Sequence, residues 1–502
     1  MDLFHNLATG FEAALSLQNL FFCLIGCLLG TLIGVLPGIG PVATIAMLLP
    51  ATYGMPPLAS LIMLAGIYYG AQYGGSTTSI LVNMPGEVSS VVTCIDGYQM
   101  ARQGRAGAAL AVSALGSLFA GCVGTLLVAA FAPALGAMSE KFTSVEYFSL
   151  MALGLVSAVV LAQGSLIKAF AMIFAGLLLG LVGTDVNTGT ARYVFGVSEL
   201  FDGIGFLPVV MGLFGINEVI TNLEQPEDRQ IVAAKIDRLW LTKEEFQQAW
   251  PASVRGTLLG AVLGILPGGG VVLASFASYV FEKRYAKDPT RFGKGAIEGV
   301  AGPESANNSA AQTSFIPLLT LGIPSNVVMA LMMGALIIHG ITPGAAVMEK
   351  RPDLFWGLVA SMWIGNVMLV IINLPMIGIW VKLLTVPYRV LFPCILLFSL
   401  IGIFAVGSST TDILFTALFA FFGYLFLKFG CEPGPLVLGF ILGPLMEENL
   451  RRSMVLSRGD PMIFVSRPIS GFLLFCAGGL LALVLVPQFK KTREVAFQEG
   501  AG

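Results

Sequence analysis

Charge is what this sequence has least of. Only 11% of its 502 residues are Asp, Glu, Lys or Arg, under half of the roughly 25% usual in soluble domains. Residues 13–86 carry no charged side chain at all, a run of 74; residues 305–348 form a second run of 44, and 106–139 a third of 34. A soluble helix needs a polar outer face. These runs have none, so a soluble domain is excluded and a polytopic membrane protein with the lipid bilayer as its surroundings is expected. The net charge of −2 leaves no electrostatic footprint for nucleic acid. Histidine is scarce as well: His5 lies in the N-terminal segment, and His339 ends an apolar run, where a helix-end role is expected. The seven cysteines are odd in number and scattered, against a disulfide framework. Cys23 and Cys27, one helical turn apart in apolar sequence, read as a packing pair rather than half a metal site. The first residues lack a basic n-region, so no cleavable signal peptide is expected. The Gly293, Lys294, Gly295 triplet lacks the spacing of a P-loop, and neither a nucleophile elbow nor paired metal-ligand spacing occurs. An enzyme is not expected.

What the chain has is apolar length: 56% of it is hydrophobic. A membrane span takes about 20 apolar residues. Residues 107–135, 147–161, 170–182, 354–379, 390–406, 413–427 and 469–486 meet or approach that, and about 11–14 embedded helical pieces are expected at this span length. The longest polar break, 221–252, carries six acids and four bases and reads as an extramembrane linker with an amphipathic helix near 243–250. It separates two similar halves. GTLIGVLPGIG at 30–40 matches GAVLGILPGGG at 260–270 with a constant offset of 230. Thr78-Ser79 leading to Pro85-Gly86 pairs with Thr313-Ser314 leading to Pro324-Ser325, with four extra residues. PVVMGLFGINEV at 208–219 and PLVLGFILGPLMEE at 435–448 close the halves. The expected architecture is an all-α polytopic membrane protein with two related repeats containing re-entrant or broken helices. Residues 1–222 form the first repeat, 223–252 the linker, 253–452 the second repeat, and 453–502 a loop, a last span and a tail.

Basic residues mark sidedness. Arg229 to Arg255 and Lys283 to Lys294 flank the second Pro-Gly segment. Its arms, 253–266 and 271–281, are near 21 and 16 Å at about 1.5 Å per residue, too short to cross. A re-entrant hairpin entering from the cytoplasm is expected. The first Pro-Gly segment follows Asp2 and Glu12 without Lys or Arg, which suggests the opposite side. Inverted repeats of this kind are a common carrier architecture.

Broken helices survive at membrane depth only where protein or a water-filled cavity surrounds them. One Pro-Gly is as readily a packing kink; paired breaks in two repeats point to a transport site. The candidate substrate- and ion-binding residues are therefore Gly38 and Gly40 at the first break and Gly268, Gly269 and Gly270 at the second. QYGGSTTS and NMPG add Gly75, Ser76, Thr77, Thr78, Asn83 and Gly86, while ESANNS and GIPSN add Asn307, Asn308, Ser309, Thr313, Ser325 and Asn326. Hydroxyls and amides also serve ordinary helix packing, but beside such breaks they can hold an anion at helix starts while opened carbonyls bind Na⁺. Glu87, Asp96, Glu298 and Glu304 are the acids nearest the breaks, available for a proton relay or placed in interfacial loops, the latter expected for Asp96 beside Arg102 and Arg105. Asp185, Arg192, Glu199 and Asp202 read as a structured loop, and Asp412 and Glu432 as helix ends.

These motifs, with YYGAQYGGSTTSILVNMPGE, GTDVNTGTARYVFG and PESANNSAAQTSFIPLLTLGIPSN among them, resemble the large membrane subunit of the bacterial tripartite tricarboxylate transporters, the TctA family, over nearly the whole chain. The resemblance implies a multi-pass protein of the bacterial inner membrane. It implies partnership with a small membrane subunit and a periplasmic solute-binding protein, and uptake of a carboxylate solute such as citrate driven by an ion gradient, commonly Na⁺. A proton-coupled carrier for another small organic solute, a passive channel and a scaffold without a translocation path are the alternatives. An elevator-like or rocking movement of the broken-helix core is expected.

Overall fold

Local signals place the helix starts. Ser16 accepts the N–H of Asn19 (3.4 Å) to open α2 (Leu17–Val35) after α1 (Leu3–Ala14). Gly40 and Pro41 open α3 (Pro41–Leu48), and Pro57 opens the 26-residue α4 (Pro57–Val82). Such positions suit Pro because a first-turn N–H has no intrahelical partner. A single turn at Val88–Ser90 leads into α5 (Val91–Arg102), then α6 (Ala106–Ser139), α7 (Ser144–Leu161) and α8 (Leu166–Gly180). A two-residue antiparallel pairing, Gly183 with Arg192 and Thr184 with Ala191, interrupts the helices. Then α9 (Phe206–Val210) passes through a π turn (Met211–Ile216) into α10 (Asn217–Glu224).

The second half opens on α11 (Lys243–Ile265), where Thr242 and Glu245 cap each other's backbone N–H at 3.1 and 2.9 Å. There follow α12 (Gly270–Tyr285), α13 (Glu298–Thr313), α14 (Phe315–Leu321), α15 (Val327–Ile338), α16 (Ala346–Lys350), α17 (Pro352–Asn373) and α18 (Ile377–Leu383). The chain closes with α19 (Thr410–Lys428), α20 (Pro433–Leu456), α21 (Ile463–Ser466) and α22 (Pro468–Leu485). This computed structural model describes residues 3–36, 40–139, 141–161, 165–185, 188–224, 239–266, 270–383 and 409–485, with scattered positions from 393 to 404. The tips at 37–39 and 267–269, with Gly38, Gly268 and Gly269, lie outside the described residues, as does most of the expected 390–406 span. Of the described helices, α2, α6, α17 and α19 are long and apolar enough to cross a membrane, and α7, α8, α15 and α22 are shorter apolar helices. The fold is that of an all-α multi-pass membrane protein.

Glycine ladders set the packing. A Cβ at Gly26, Gly30 or Gly34 would strike the backbone of Met63, Ile67 or Ala71, so α2 lies parallel to α4 at backbone contact. The same holds for Gly256, Gly260 and Gly264 of α11 against Gly302, Ala306 and Ala310 of α13. Small residues every fourth position are what membrane helices use to approach this closely. The ladder glycines keep the expected offset of 230, but the carbonyls they meet differ by 239. That second register continues through the left-handed residues Asn83 (φ 58°) and Gly322 (φ 68°), and through Pro85 and Pro324. Counted this way no residues are inserted. Gly75, not Ser79, stands where Ser314 does: Gly86 folds back on Gly75, and Ser325 donates to the Ser314 carbonyl at 3.1 Å. Gly260→Val should therefore cost about 1–3 kcal/mol through overpacking. A lowered melting midpoint in detergent would show it, with Gly478→Val, where a Cβ meets nothing within 4 Å, as the unchanged control.

Two further contacts orient the halves. Ser76 meets Glu304, while Tyr69, two turns earlier, meets Phe315 with ring centroids 6.3 Å apart, so α4 and α13 run antiparallel. Arg255 of α11 binds Glu282 of α12 at 2.5 and 2.8 Å, which brings both arms of that hairpin back to one level. The hairpin's first arm is longer than expected: the amphipathic stretch 243–250 is continuous with it in one helix.

Candidate functional site

Serine and threonine inside a helix can return their hydroxyls to the carbonyl one turn back. That is what most of the QYGGSTTS hydroxyls do. Thr77 donates to Tyr73 O (3.4 Å), and Thr78 to Val35 O (2.9 Å) and Gly34 O (3.3 Å), stitching α4 to α2. Ser76 donates to the Tyr-bearing helix's Gln72 carbonyl (3.0 Å) and to Glu304 Oε2 (2.5 Å). The segment is an unbroken helix, and so is 304–313. Asn308 Nδ2 reaches Ser117 Oγ (2.8 Å), Asn307 Oδ1 (2.6 Å) and Glu304 O (3.0 Å), Ser309 is buried beside them, and Thr313 returns to Ser309 O (3.2 Å). Asn83 is the exposed C-cap of α4.

The open space lies elsewhere. A cavity of about 450 Å³ forms where the breaks of both halves converge, within the size range of small-molecule sites. Its walls are first-turn residues: Gly40 to Ala43 of α3, Glu87 to Ser89 ahead of α5, Val271 and Val272 of α12, Asn326 to Val328 of α15, and Glu432, Gly434 and Pro435 of α20. Tyr68 and Gln72 of α4, Ala158 of α7, Phe214 of the π turn and Leu438 complete it. Of the sequence candidates, Gly40, Gly86 and Asn326 line the cavity; Gly75 lies directly behind Glu87, and Gly270 begins α12 with its α-carbon against Leu263 and Gly264. Ser76, Thr77, Thr78, Asn307, Asn308, Ser309, Thr313 and Ser325 are buried outside the lining, and Asn83 is also outside it.

Two carboxylates, Glu87 and Glu432, line the cavity, and among the described residues no Lys, Arg or His does. Glu87 takes hydrogen bonds from Ser89, whose hydroxyl also reaches Gln72 Oε1 at 2.9 Å, and it caps the Val88–Ser90 turn. Asn326 Oδ1 caps α15 through Met329 N at 2.9 Å, leaving its amide group at the lining. Helix starts carry unpaired N–H groups and the positive end of the dipole, which is how proteins hold anions without a basic side chain.

Sequence reasoning missed Tyr68, Gln72, Ser89, Phe214 and the valines of α12 and α15. Only the position of Tyr68 and Gln72 just ahead of the hydroxyl cluster could have signalled them. Asp96 is not in a loop: it is fully buried on α5, accepting from Gly293 N, Gly295 N and Ala296 N at 2.9, 2.7 and 2.9 Å and from Tyr279 OH at 2.9 Å. His339 does end its helix, with Nε2 3.1 Å from Ser60 Oγ.

Residues 20–438 match the family model described as "Tripartite tricarboxylate transporter TctA family". An Agrobacterium vitis protein described as "Uncharacterized 52.8 kDa protein in TAR-I ttuC' 3'region" is 57% identical over 499 residues, covering 99% of each chain. A second from the same organism, "Uncharacterized protein in TAR-II ttuC' 3'region", is 57% identical over 240 residues, 48% of this chain and 99% of its own. No solved structure matches the chain.

Proposed function

The chain belongs to the tripartite tricarboxylate transporter TctA family, and we propose that it translocates a di- or tricarboxylate through the cavity between its two broken halves, together with a coupling cation. The observation that carries this reading is the lining itself: helix starts from both halves face one space that, among the described residues, holds two carboxylates and no basic side chain. The helix starts favour an anion. Glu87 at the wall opposes a bare polyanion, so substrate enters with cations that offset the repulsion. Na⁺ is the coupling ion in this reading. Protons are the second reading, favoured by the same two carboxylates, which would take them up on the way in.

The antiparallel run of α4 and α13, each parallel to its own glycine-ladder partner, supports inverted repeats. So does the exchange of closing segments: Gly212, in the first half, packs on Thr416 of α19, and Gly439 of α20 packs on Ile173 of α8. Symmetry of this kind gives the cavity an equivalent way out on either side of the membrane, as uptake across the bacterial inner membrane requires. The chain would act with a small membrane subunit and a periplasmic solute-binding protein that delivers the carboxylate.

Uptake of labelled citrate into proteoliposomes holding the complete transporter tests the reading. An inward Na⁺ gradient should drive accumulation, and a pH gradient alone should not. Val327→Trp, which adds an indole at the cavity wall, should reduce uptake on the order of a hundredfold with membrane insertion intact. Unchanged uptake by that variant, or uptake that persists with both ion gradients collapsed, would sink the proposal.

A further inference from the structure

Glu304 has no place in the cavity lining, yet it is fully buried in the middle of α13. A lone carboxylate at such depth is costly unless a positive charge offsets it. Among the described residues, no Lys, Arg or His forms an ion pair with it. Its hydrogen-bond neighbours are neutral donors, Ser76 at 2.5 Å and Thr93. The acids on the surrounding elements already have partners, Asp96 through backbone N–H groups and Tyr279, Glu282 through Arg255. Tyr73, Cys94 and Glu87 complete the titratable groups around it.

The second observation is independent of the charge. Beside Glu304, on the face of α13 that packs on α6, the side-chain oxygens of Ser305, Asn308, Ser309 and Gln312 are buried with no hydrogen-bond partner, as are the amide nitrogens of Asn307 and Gln312. Helical spacing puts residues 304, 305, 308, 309 and 312 on one side, and Asn308 folds back onto the Glu304 carbonyl. Buried polar atoms in a native fold are almost always satisfied, so a group of orphaned oxygens marks a missing ligand. Oxygen-only ligands with a single negative charge suit a hard monovalent cation.

We propose that Glu304 and the oxygens of Ser305, Asn308, Ser309 and Gln312 form a binding site for dehydrated Na⁺, separate from the substrate cavity. The inference deepens the carrier reading and rests on it for its role in coupling. Two stacked rungs connect the sites. Gln72 and Ser76 are one turn apart on α4, and Ser89 and Thr93 one turn apart leading along α5; Glu87 sits at the first rung and Glu304 at the second. Occupancy at Glu304 would offset the field that Glu87 and an incoming carboxylate feel, so filling of the inner site favours filling of the cavity.

The test is ²²Na⁺ binding to the purified full-length chain in detergent. Wild type should bind saturably, with displacement by unlabelled Na⁺ and not by K⁺. Glu304→Gln should weaken binding at least about tenfold, the loss of one strong ligand, and Asn308→Leu should weaken it as well. Wild-type affinity in monodisperse Glu304→Gln overturns the site. Should that variant fail to fold, unchanged binding by Asn308→Leu overturns it. Wild type that binds no ²²Na⁺ while uptake follows a pH gradient also overturns it, in favour of a protonated Glu304. Na⁺ binding without carboxylate uptake by the complete transporter would sink the carrier reading and leave the site standing.

Discussion

Asp96→Ala is expected to yield a chain that inserts but melts far below wild type. One carboxylate oxygen collects three backbone N–H groups from the 293–296 loop and the other takes the Tyr279 hydroxyl, and Asp96 itself is fully buried. Gly293 (φ 82°) and Gly295 (φ 97°) hold the left-handed backbone that lets this loop curl around the carboxylate. Truncation leaves the N–H groups of Gly295 and Ala296 and the Tyr279 hydroxyl buried and unpaired, while Gly293 is exposed. Hydrogen bonds to a charged group contribute about 1.5–3 kcal/mol each. They share one acceptor and do not sum, so a total of about 4 kcal/mol is expected, at the upper end for single substitutions. Asp96→Asn keeps an oxygen for the three N–H groups and lets the tyrosine hydroxyl turn to accept, so it should lose about 1 kcal/mol, one ordinary hydrogen bond. A thiol-reactive dye reads the result, because Cys23 and Cys27 are buried until the helices part. Equal melting of Asp96→Ala and wild type would refute this account.

Arg255→Met is the second large effect, and its rescue is the informative part. Glu282 is 2% exposed and bound at both oxygens by the Arg255 guanidinium, which also stacks over Tyr285. Removing the arginine leaves a buried carboxylate without its partner, at a cost of about 3–5 kcal/mol, the lower figure being expected because Arg255 itself remains 30% exposed. The double variant Arg255→Met with Glu282→Gln removes the stranded charge and should recover most of the loss. The pair lies where both arms of the α11–α12 hairpin return to one level, so the single variant should splay the hairpin and lower uptake along with stability. A double variant no more stable than Arg255→Met would mean that the cost was packing rather than charge.

Much of the frame was legible because membrane helices advertise themselves. The uncharged 13–86 run holds α2 through α4, and 106–139 is α6 residue for residue. The glycines at 30, 34, 260 and 264 marked two seams of helices at backbone contact, since such contact tolerates nothing larger. The register of the facing helices was not legible. Met63, Ile67 and Ala71 share little with Gly302, Ala306 and Ala310, because the ladder touches their carbonyls, which every residue has. Matching Thr-Ser pairs by identity therefore shifted the alignment by one helical turn. The candidate site was half legible for a related reason. Hydroxyls in sequence do not reveal whether they face a ligand, a neighbouring helix or their own i−4 carbonyl; Thr77 returns to its own helix, and Thr78 bonds chiefly to Val35 O of α2. The breaks did lead to Gly40, Gly86 and Asn326, but the valines of the cavity wall look like any apolar core.

The glycine ladders carry one more consequence, for descent rather than for transport. Because the rungs rest on main-chain oxygen, the seam depends on few side chains of α4 and α13, Thr78 being one that does bond across it. Tyr68 and Gln72 of α4, which face the cavity and not the ladder, can be exchanged by drift without disturbing that seam. On the proposed reading, one scaffold can thus be inherited intact while selection for a different solute acts on a handful of cavity positions and the seam stays still.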